Sequence, residues 1–576
     1  MSSRAREIRE FCDRVLDDPA RGAADLERIG EGPPSAPIFP ALEKFLPDVA
    51  DPDLALVHLE RYCRESDPPT DPEVLQVLLT LFGFSPYLAE SLLADRACLP
   101  ALHRARRQGP WEAEDYRGDL ARRLRIQHGS EPWGVLRAYR RWINLRVALR
   151  DLQKRASLAE VTREISAAAD ALIQAAFEIV MNGLKLEYGT PQSYDESGRI
   201  VESTMVVIAL GKLGGRELNY SSDIDLLFIY STDGETSGLS GRPQTQISNK
   251  EFFTRAAQEL ARGLGQISAE GQVFRVDCRL RPGGRDGDLV SPLQGAQVYY
   301  HTWARPWERQ ALIKARACAG DERLGGRFAS AIEDVVYPRP ADRSVADGIR
   351  LMKDRIDADL ARRGQGALNL KLGVGGIREI EFCVQALQIV HGGEDRWVRG
   401  PNTLLAMHRL TDKGHLSVPE YGALSAAYTF LREAEHRLQI HRNLQRSALP
   451  AHPRGVRILA RSMGYRDSSH RQEAAAFLAD LDAHRRAVRA IYDDALGRLA
   501  QPRLEESPGP DPFLDPLPDA AVVARLGEAG LAGTESLLGA IRAIGRLLAG
   551  PAVAAEVRRL FRRLSPDLVA HLTQVE

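Results

Sequence analysis

The stretch from Val206 to Tyr230, VVIALGKLGGRELNYSSDIDLLFIY, constrains this chain more than any other. Two short aliphatic runs flank a glycine bend, so they read as buried strands within a sequence whose periodicity is otherwise helical. The second run opens with Asp-Ile-Asp. Strand side chains alternate between faces, so Asp223 and Asp225 are expected on one side, with Ile224 and Leu226 on the other.

Two carboxylates meeting at one spot oppose each other's ionisation unless a cation neutralises them. Mg²⁺ does this with hard oxygen ligands, usually one or two carboxylates together with substrate phosphates. A third carboxylate, Asp277, lies in the next β-like run, VFRVDCRLRP. If that run neighbours the Asp-Ile-Asp strand, then Asp223, Asp225 and Asp277 form a metal site of the kind used in phosphoryl and nucleotidyl transfer. Gly214 and Gly215 lack side chains and would let backbone N–H groups approach a phosphate. Arg279 and Arg281 follow Asp277 at two-residue steps and would meet phosphate oxygens beside the metal. The bland alternative is that a lone Asp-x-Asp is a turn and a lone Gly-Gly a bend. The ordered set argues for catalysis.

Other phosphate motifs fail on specifics. Leu213 follows Lys212, so GKLGG lacks the hydroxyl of a P-loop, and no GxGxxG opens a helix after a strand. Trp307 to Arg316, WERQALIKAR, reads as helical, with basic groups either lining a cleft or forming a solvated face. In Lys371 to Phe382, KLGVGGIREIEF, the glycines permit a tight turn before a helix whose start would face an anion. Glu379 and Glu381 lie too far apart around that helix to share an ion, and Arg378 can pair with Glu381. A packing role is preferred there, with substrate contact as the sharper reading. The thirteen histidines show no metal-ligand spacing.

The period of the hydrophobic pattern divides the chain. Residues 1–158 read as a helical domain, and 159–335 as an α/β domain that begins with a long amphipathic helix ending near Gly189. Residues 336–500 read as a helical bundle. The Pro-rich and acidic stretch 501–518 reads as a linker, and 519–576 as the start of another helical module. A length of 576 residues also implies several cores. The expected class is α+β multidomain, mostly helical with a central α/β domain. The abrupt ending and a short echo, FLPDV at 45–49 against LSPDL at 564–568, suggest a chain cut near the start of a second unit.

Composition sets limits on partners. The 77 basic and 78 acidic residues leave a net charge of -1, which disfavours nucleic acid or an anionic membrane as partner. Six scattered cysteines with no CxxC indicate neither disulfides nor structural zinc. The charged start and the absence of any run near the ~18 apolar residues of a membrane span predict a cytoplasmic protein.

The ordered segments GKLGGRELNYSSDIDLLF, VFRVDCRLRPGG, WERQALIKAR and KLGVGGIREIEF closely resemble the glutamine synthetase adenylyltransferase/adenylyl-removing family, within the nucleotidyltransferase superfamily. Full-length members carry two catalytic domains in tandem, and the single set here, with its GVGG and IREIEF, resembles the first, deadenylylating half. The resemblance implies phosphorolysis of an AMP-tyrosine on glutamine synthetase, with phosphate and ADP as small molecules and a PII signal protein as regulator. By this match Asp223, Asp225 and Asp277 hold Mg²⁺, and Gly214, Gly215 and Ser222 shape a phosphate loop. Lys212, Arg279 and Arg281 are further phosphate contacts. The wider superfamily often has Gly-Ser where Gly214-Gly215 stands, so one hydroxyl contact is missing there. The alternatives are adenylyl transfer from ATP to the same tyrosine, a fragment of the full bifunctional enzyme, or a non-catalytic adaptor binding glutamine synthetase and PII. A polymerase or tRNA-adding enzyme is disfavoured by the neutral charge.

Overall fold

The computed structural model describes residues 3–30, 38–126, 131–339, 345–362, 368–467, 472–500, 513–514, 517–528, 534–550 and 561. Residues 1–500 form one compact unit and residues 501–576 a second. Most of the 501–518 stretch, the 564–568 echo and the terminal 570–576 lie outside the described residues. The fold is α+β and mostly helical.

Five strands of the first unit make a mixed sheet that positions the site. They are β3 (Met205–Leu210), β4 (Ile224–Tyr230), β6 (Val276–Asp277), β7 (Val290–Pro292) and β8 (Arg316–Gly320). The order is β6-β4-β3-β8, with β7 also on β4. β3 runs antiparallel to β4 and β8, while β6 and β7 run parallel to β4. A smaller sheet joins β2 (Ile200–Glu202), β1 (Pro191–Tyr194) and β5 (Glu235–Thr236) in that order.

The alternation expected of β3 and β4 is realised in two cores. Met205, Val207, Ala209, Ile224, Leu226 and Phe228 face the core built with the N-terminal helices. Val206, Ile208, Leu210, Leu227 and Ile229 face the core shared with the C-terminal helices. The sheet is thus a wall buried on both sides, which is why its strands read as continuous aliphatic runs.

Ser157 caps the long Leu158–Tyr188 helix in a capping box with Glu160, and the helix stops where Gly189 takes φ 77°. A second helix of the α/β region runs from Asn249 to Gly265, with Ser248 as its N-cap. Two other expectations need correction. The strand expected across Val273–Leu280 is confined to Val276–Asp277, because only that pair stands in ladder register with β4 and the chain then turns. The helix expected through Trp307–Arg316 ends at Leu312, and residues 316–320 are instead the edge strand β8.

The second unit has helices at Asp519–Glu528 and Thr534–Ala549, packed through Phe513, Val522 and Ile541. Among the described residues, no helix is long and apolar enough to cross a membrane.

Candidate active site

β4 and β6 bring the acidic residues together. In their parallel pairing Ile224 stands beside Val276, and Asp225 beside Asp277. Asp223 precedes β4 by one residue, and the Ile224 N–H donates to the Arg275 carbonyl at 2.9 Å, which locks the register at that end. Burial first, then the charges of Asp277 and Asp223, push Asp225 up to about 6, against the pull of Lys371 and Arg378. Asp277 moves the other way: Arg279 donates to its carboxylate through Nε at 2.9 Å and through its own backbone N–H at 2.9 Å, holding it below the usual range. Arg275 Nε donates to Asp223 at 2.6 Å, and its Nη2 reaches the Ser221 carbonyl at 2.7 Å.

The glycine that meets the carboxylates is Gly211. It opens the Gly211–Gly214 turn directly after β3, with φ 55°, and a Cβ there would lie 2.3 Å from Asp225 Oδ2. Gly214 and Gly215 are also required by packing. A Cβ on Gly214 would stand 1.9 Å from the Lys314 carbonyl oxygen, and one on Gly215 would stand 2.9 Å from that of Pro401. Their missing side chains let neighbouring backbone press against the turn.

Several expected phosphate contacts are engaged elsewhere. Lys212 is buried, and its Nζ donates to Glu435 at 2.8 Å in the Val418–Arg442 helix. Burial would raise Glu435, but Lys212, Arg432 and Lys371 outweigh it and keep the carboxylate ionised. Asn219 and Arg432 complete this buried join between turn and helix, with Asn219 Nδ2 2.7 Å from Glu435 and Arg432 Nη2 2.6 Å from the Glu217 carbonyl. Arg281 lies beyond the end of β6. Its guanidinium staples the following loop by donating to the carbonyls of Cys278, Arg285 and Gly287 at 2.8–2.9 Å. Ser222 is half-buried immediately before Asp223.

The remaining motifs converge on the same region. Lys314 is buried, with its Nζ 2.6 Å from Glu217 and 3.7 Å from Glu381, so it is no part of a solvated basic face. Arg316 on β8 forms a forked pair with Asp170. In KLGVGGIREIEF, Gly375 packs against the backbone of Arg485 with φ 68°, and Glu379 is buried against Lys353 at 3.0 Å. Arg378 and Glu381 pair at 4.0 Å. This is the packing role expected of the segment. Lys371 and Arg378 nevertheless lie near enough to Asp225 to pull its pKa down. Sequence reasoning missed Gly211, Arg275 and Lys371. Arg275 carried a signal, since it precedes Asp277 by two residues and so shares its strand face.

A divalent cation is the obvious counter-charge for such a cluster. Among the described residues, no three Asp, Glu, His or Cys side chains are drawn around one point. Arg275 and Arg279 hold Asp223 and Asp277 to themselves. The donor set still suits a hard cation: three carboxylates come from the start of β4 and from its neighbour β6, and burial, with Asp277 and Asp223 adding to it, disfavours a bare charge on Asp225. The residues fit such an ion once the two guanidiniums give way.

Comparison with known proteins shows which family the chain resembles. A family model described as glutamate-ammonia ligase adenylyltransferase matches residues 75–331, and one described as GlnD PII-uridylyltransferase matches residues 350–496. A bifunctional glutamine synthetase adenylyltransferase/adenylyl-removing enzyme of Nitrosococcus oceani is 36% identical over 515 residues, covering 88% of this chain and 51% of the relative. Enzymes of the same description from Burkholderia mallei and Pseudomonas aeruginosa are each 38% identical, over 69% and 71% of this chain and 44% and 41% of their own lengths. The chain thus spans about half the length of the curated relatives it matches. With the first family model ending where the sheet and its helices end, and the relatives' likeness running through the helices beyond, the chain belongs to the glutamine synthetase adenylyltransferase/adenylyl-removing family of nucleotidyltransferases.

Proposed function

We propose that this chain removes AMP from an adenylylated tyrosine of glutamine synthetase by phosphorolysis. The observation that carries the reading is the register of Asp225 beside Asp277, with Asp223 at the start of the same strand. Asp223, Asp225 and Asp277 would hold a divalent cation, Mg²⁺ by our choice, which neutralises charge on phosphate oxygens. An oxygen of inorganic phosphate attacks the α-phosphorus, the bond from that phosphorus to the tyrosine oxygen breaks, and the phenolate leaves to be protonated by solvent. The products are ADP and free tyrosine. A phenol pKa of about 10 makes this leaving group tolerable without a dedicated acid. Lys371 and Arg378 favour a phosphate nucleophile, since they add positive charge beyond the guanidiniums already paired with Asp223 and Asp277. We take Asp225 to stay ionised at neutral pH, where its group at about 6 is mostly deprotonated.

Glutamine synthetase is proposed as the protein substrate because the relatives are named for acting on it. A PII signal protein is proposed as regulator, supported by the likeness of residues 350–496 to a PII-uridylyltransferase. The test is a paired assay: ADP release from adenylylated glutamine synthetase with phosphate and Mg²⁺, and AMP transfer from ATP to the unmodified enzyme. ADP release that needs both phosphate and metal is expected. AMP transfer without ADP release would reverse the assignment.

A further inference from the structure

β8 is the edge strand on the far side of β3 from the carboxylates, and a recess of about 130 Å³ opens along it. Its lining includes four arginines, Arg117, Arg163, Arg216 and Arg316, against two carboxylates, Asp170 and Glu322. Arg316 and Asp170 satisfy each other through two bonds at 2.8 and 2.9 Å. Among the described residues, Arg163 and Arg117 pair only with the exposed Glu112 at 3.5 Å and Glu114 at 3.3 Å, and exposed pairs of that kind are worth roughly 0–1 kcal/mol. Arg216 makes no ion pair with any described residue. It also holds a left-handed backbone, φ 55°, which costs a branched-Cα residue about 1–2 kcal/mol. That conformation is fixed by the turn, where the Arg216 N–H donates to the Leu213 carbonyl and the Glu217 N–H to that of Lys212. It aims an exposed guanidinium into a recess already rich in positive charge.

We propose that this recess binds a tetrahedral oxyanion of the phosphate class, held by Arg216 and Arg163 with Arg117 at the rim. Planar guanidinium forks match phosphate oxygens two at a time, which suits them to this ligand better than surface lysines. The volume accepts a phosphate and leaves a nucleoside to protrude. The recess also shares its floor with the glycine turn, because Arg316 donates to the carbonyls of Leu213 and Gly214 at 3.0 and 3.4 Å. The inference stands apart from the proposed reaction and needs none of its residues.

The test titrates inorganic phosphate, and separately ADP, into the full chain carrying Lys371→Met, with sodium chloride matching the ionic strength. The same titrations are made in that background with Arg216→Asn and Arg163→Gln added. Asn tolerates the left-handed backbone, and equal melting temperatures in chloride check that the fold is intact. Saturable phosphate binding that weakens at least tenfold in the arginine variant is expected, and tighter ADP than phosphate binding would identify a phosphoryl group on a nucleotide as the occupant. Arg117→Gln alone should weaken binding less. Phosphate affinity unchanged by the Arg216 and Arg163 substitutions, or no saturable binding beyond the chloride control, would overturn the site.

Discussion

Asp225 stands beside Asp277 across a parallel strand pair, yet the two carboxylates are driven in opposite directions. Arg279 stabilises the charge on Asp277, while burial and its acidic neighbours push Asp225 up to about 6. An unfolded aspartate titrates near 3.9, so between about pH 4 and 6 the folded chain binds the extra proton. Stability is therefore lost as pH rises through that window, and the penalty is fully present above 6. Asp225→Asn removes it. In EDTA at pH 8 the variant should be more stable to urea than wild type by roughly 2–3 kcal/mol, with the gap closing below about pH 4. AMP removal should fall at least a hundredfold in the same protein, and added Mg²⁺ should stabilise wild type but not the variant.

Gly211 lies where Asp225 leaves no room for a side chain. Gly211→Ala must place a methyl group 2.3 Å from Asp225 Oδ2 in a left-handed backbone, so it should cost about 1–3 kcal/mol and displace the carboxylate. Gly118, in the Ala113–Ile126 helix, has nothing within 4 Å of its would-be Cβ. Gly118→Ala should stabilise by about 0.5–1 kcal/mol and leave the rate unchanged. Melting curves and initial rates on both variants separate a local clash from a general intolerance of glycine replacement.

The contrast between these glycines shows what the sequence could carry. β3, β4 and the Leu158–Tyr188 helix were legible because their patterns are local: an aliphatic run, an alternation, an amphipathic period and a glycine stop. β8 was not. IKARACAG is alanine-rich and continues a helical period, and only its pairing with Val206–Ala209 makes residues 316–320 extended. The acidic trio was legible as an ordered motif, whereas the partners of its neighbours were not. Glu435, which takes up Lys212, lies more than two hundred residues further along, and no spacing rule reaches that far.

That distant pair gives its own prediction. Removing one member of a buried ion pair strands the other without solvent, at a cost of about 3–5 kcal/mol. Lys212→Met and Glu435→Gln should each destabilise by that amount, and the double variant by less than their total, because it leaves neither charge alone. The KM for phosphate in the surviving folded protein should stay within about twofold of wild type. A large KM change without loss of stability would return Lys212 to the phosphate site. Urea titrations and phosphate saturation curves on the three proteins decide between the two roles.

Lys371 is the complementary case, a cation beside the carboxylates with no ion pair among the described residues. Its charge lowers Asp225 and also acts on Glu381 and Glu435. A charge-assisted hydrogen bond to phosphate contributes about 1.5–3 kcal/mol, so Lys371→Met should raise the KM for phosphate roughly ten- to a hundredfold with a smaller effect on kcat. It should also move the acid limb of the pH–rate profile upward, because Asp225 loses a cation that favours its ionised form. A structural role for Lys371 would lower the melting temperature and leave the KM for phosphate in place. Phosphate saturation curves, taken with melting curves in the same buffers, therefore separate a phosphate contact from a packing contact.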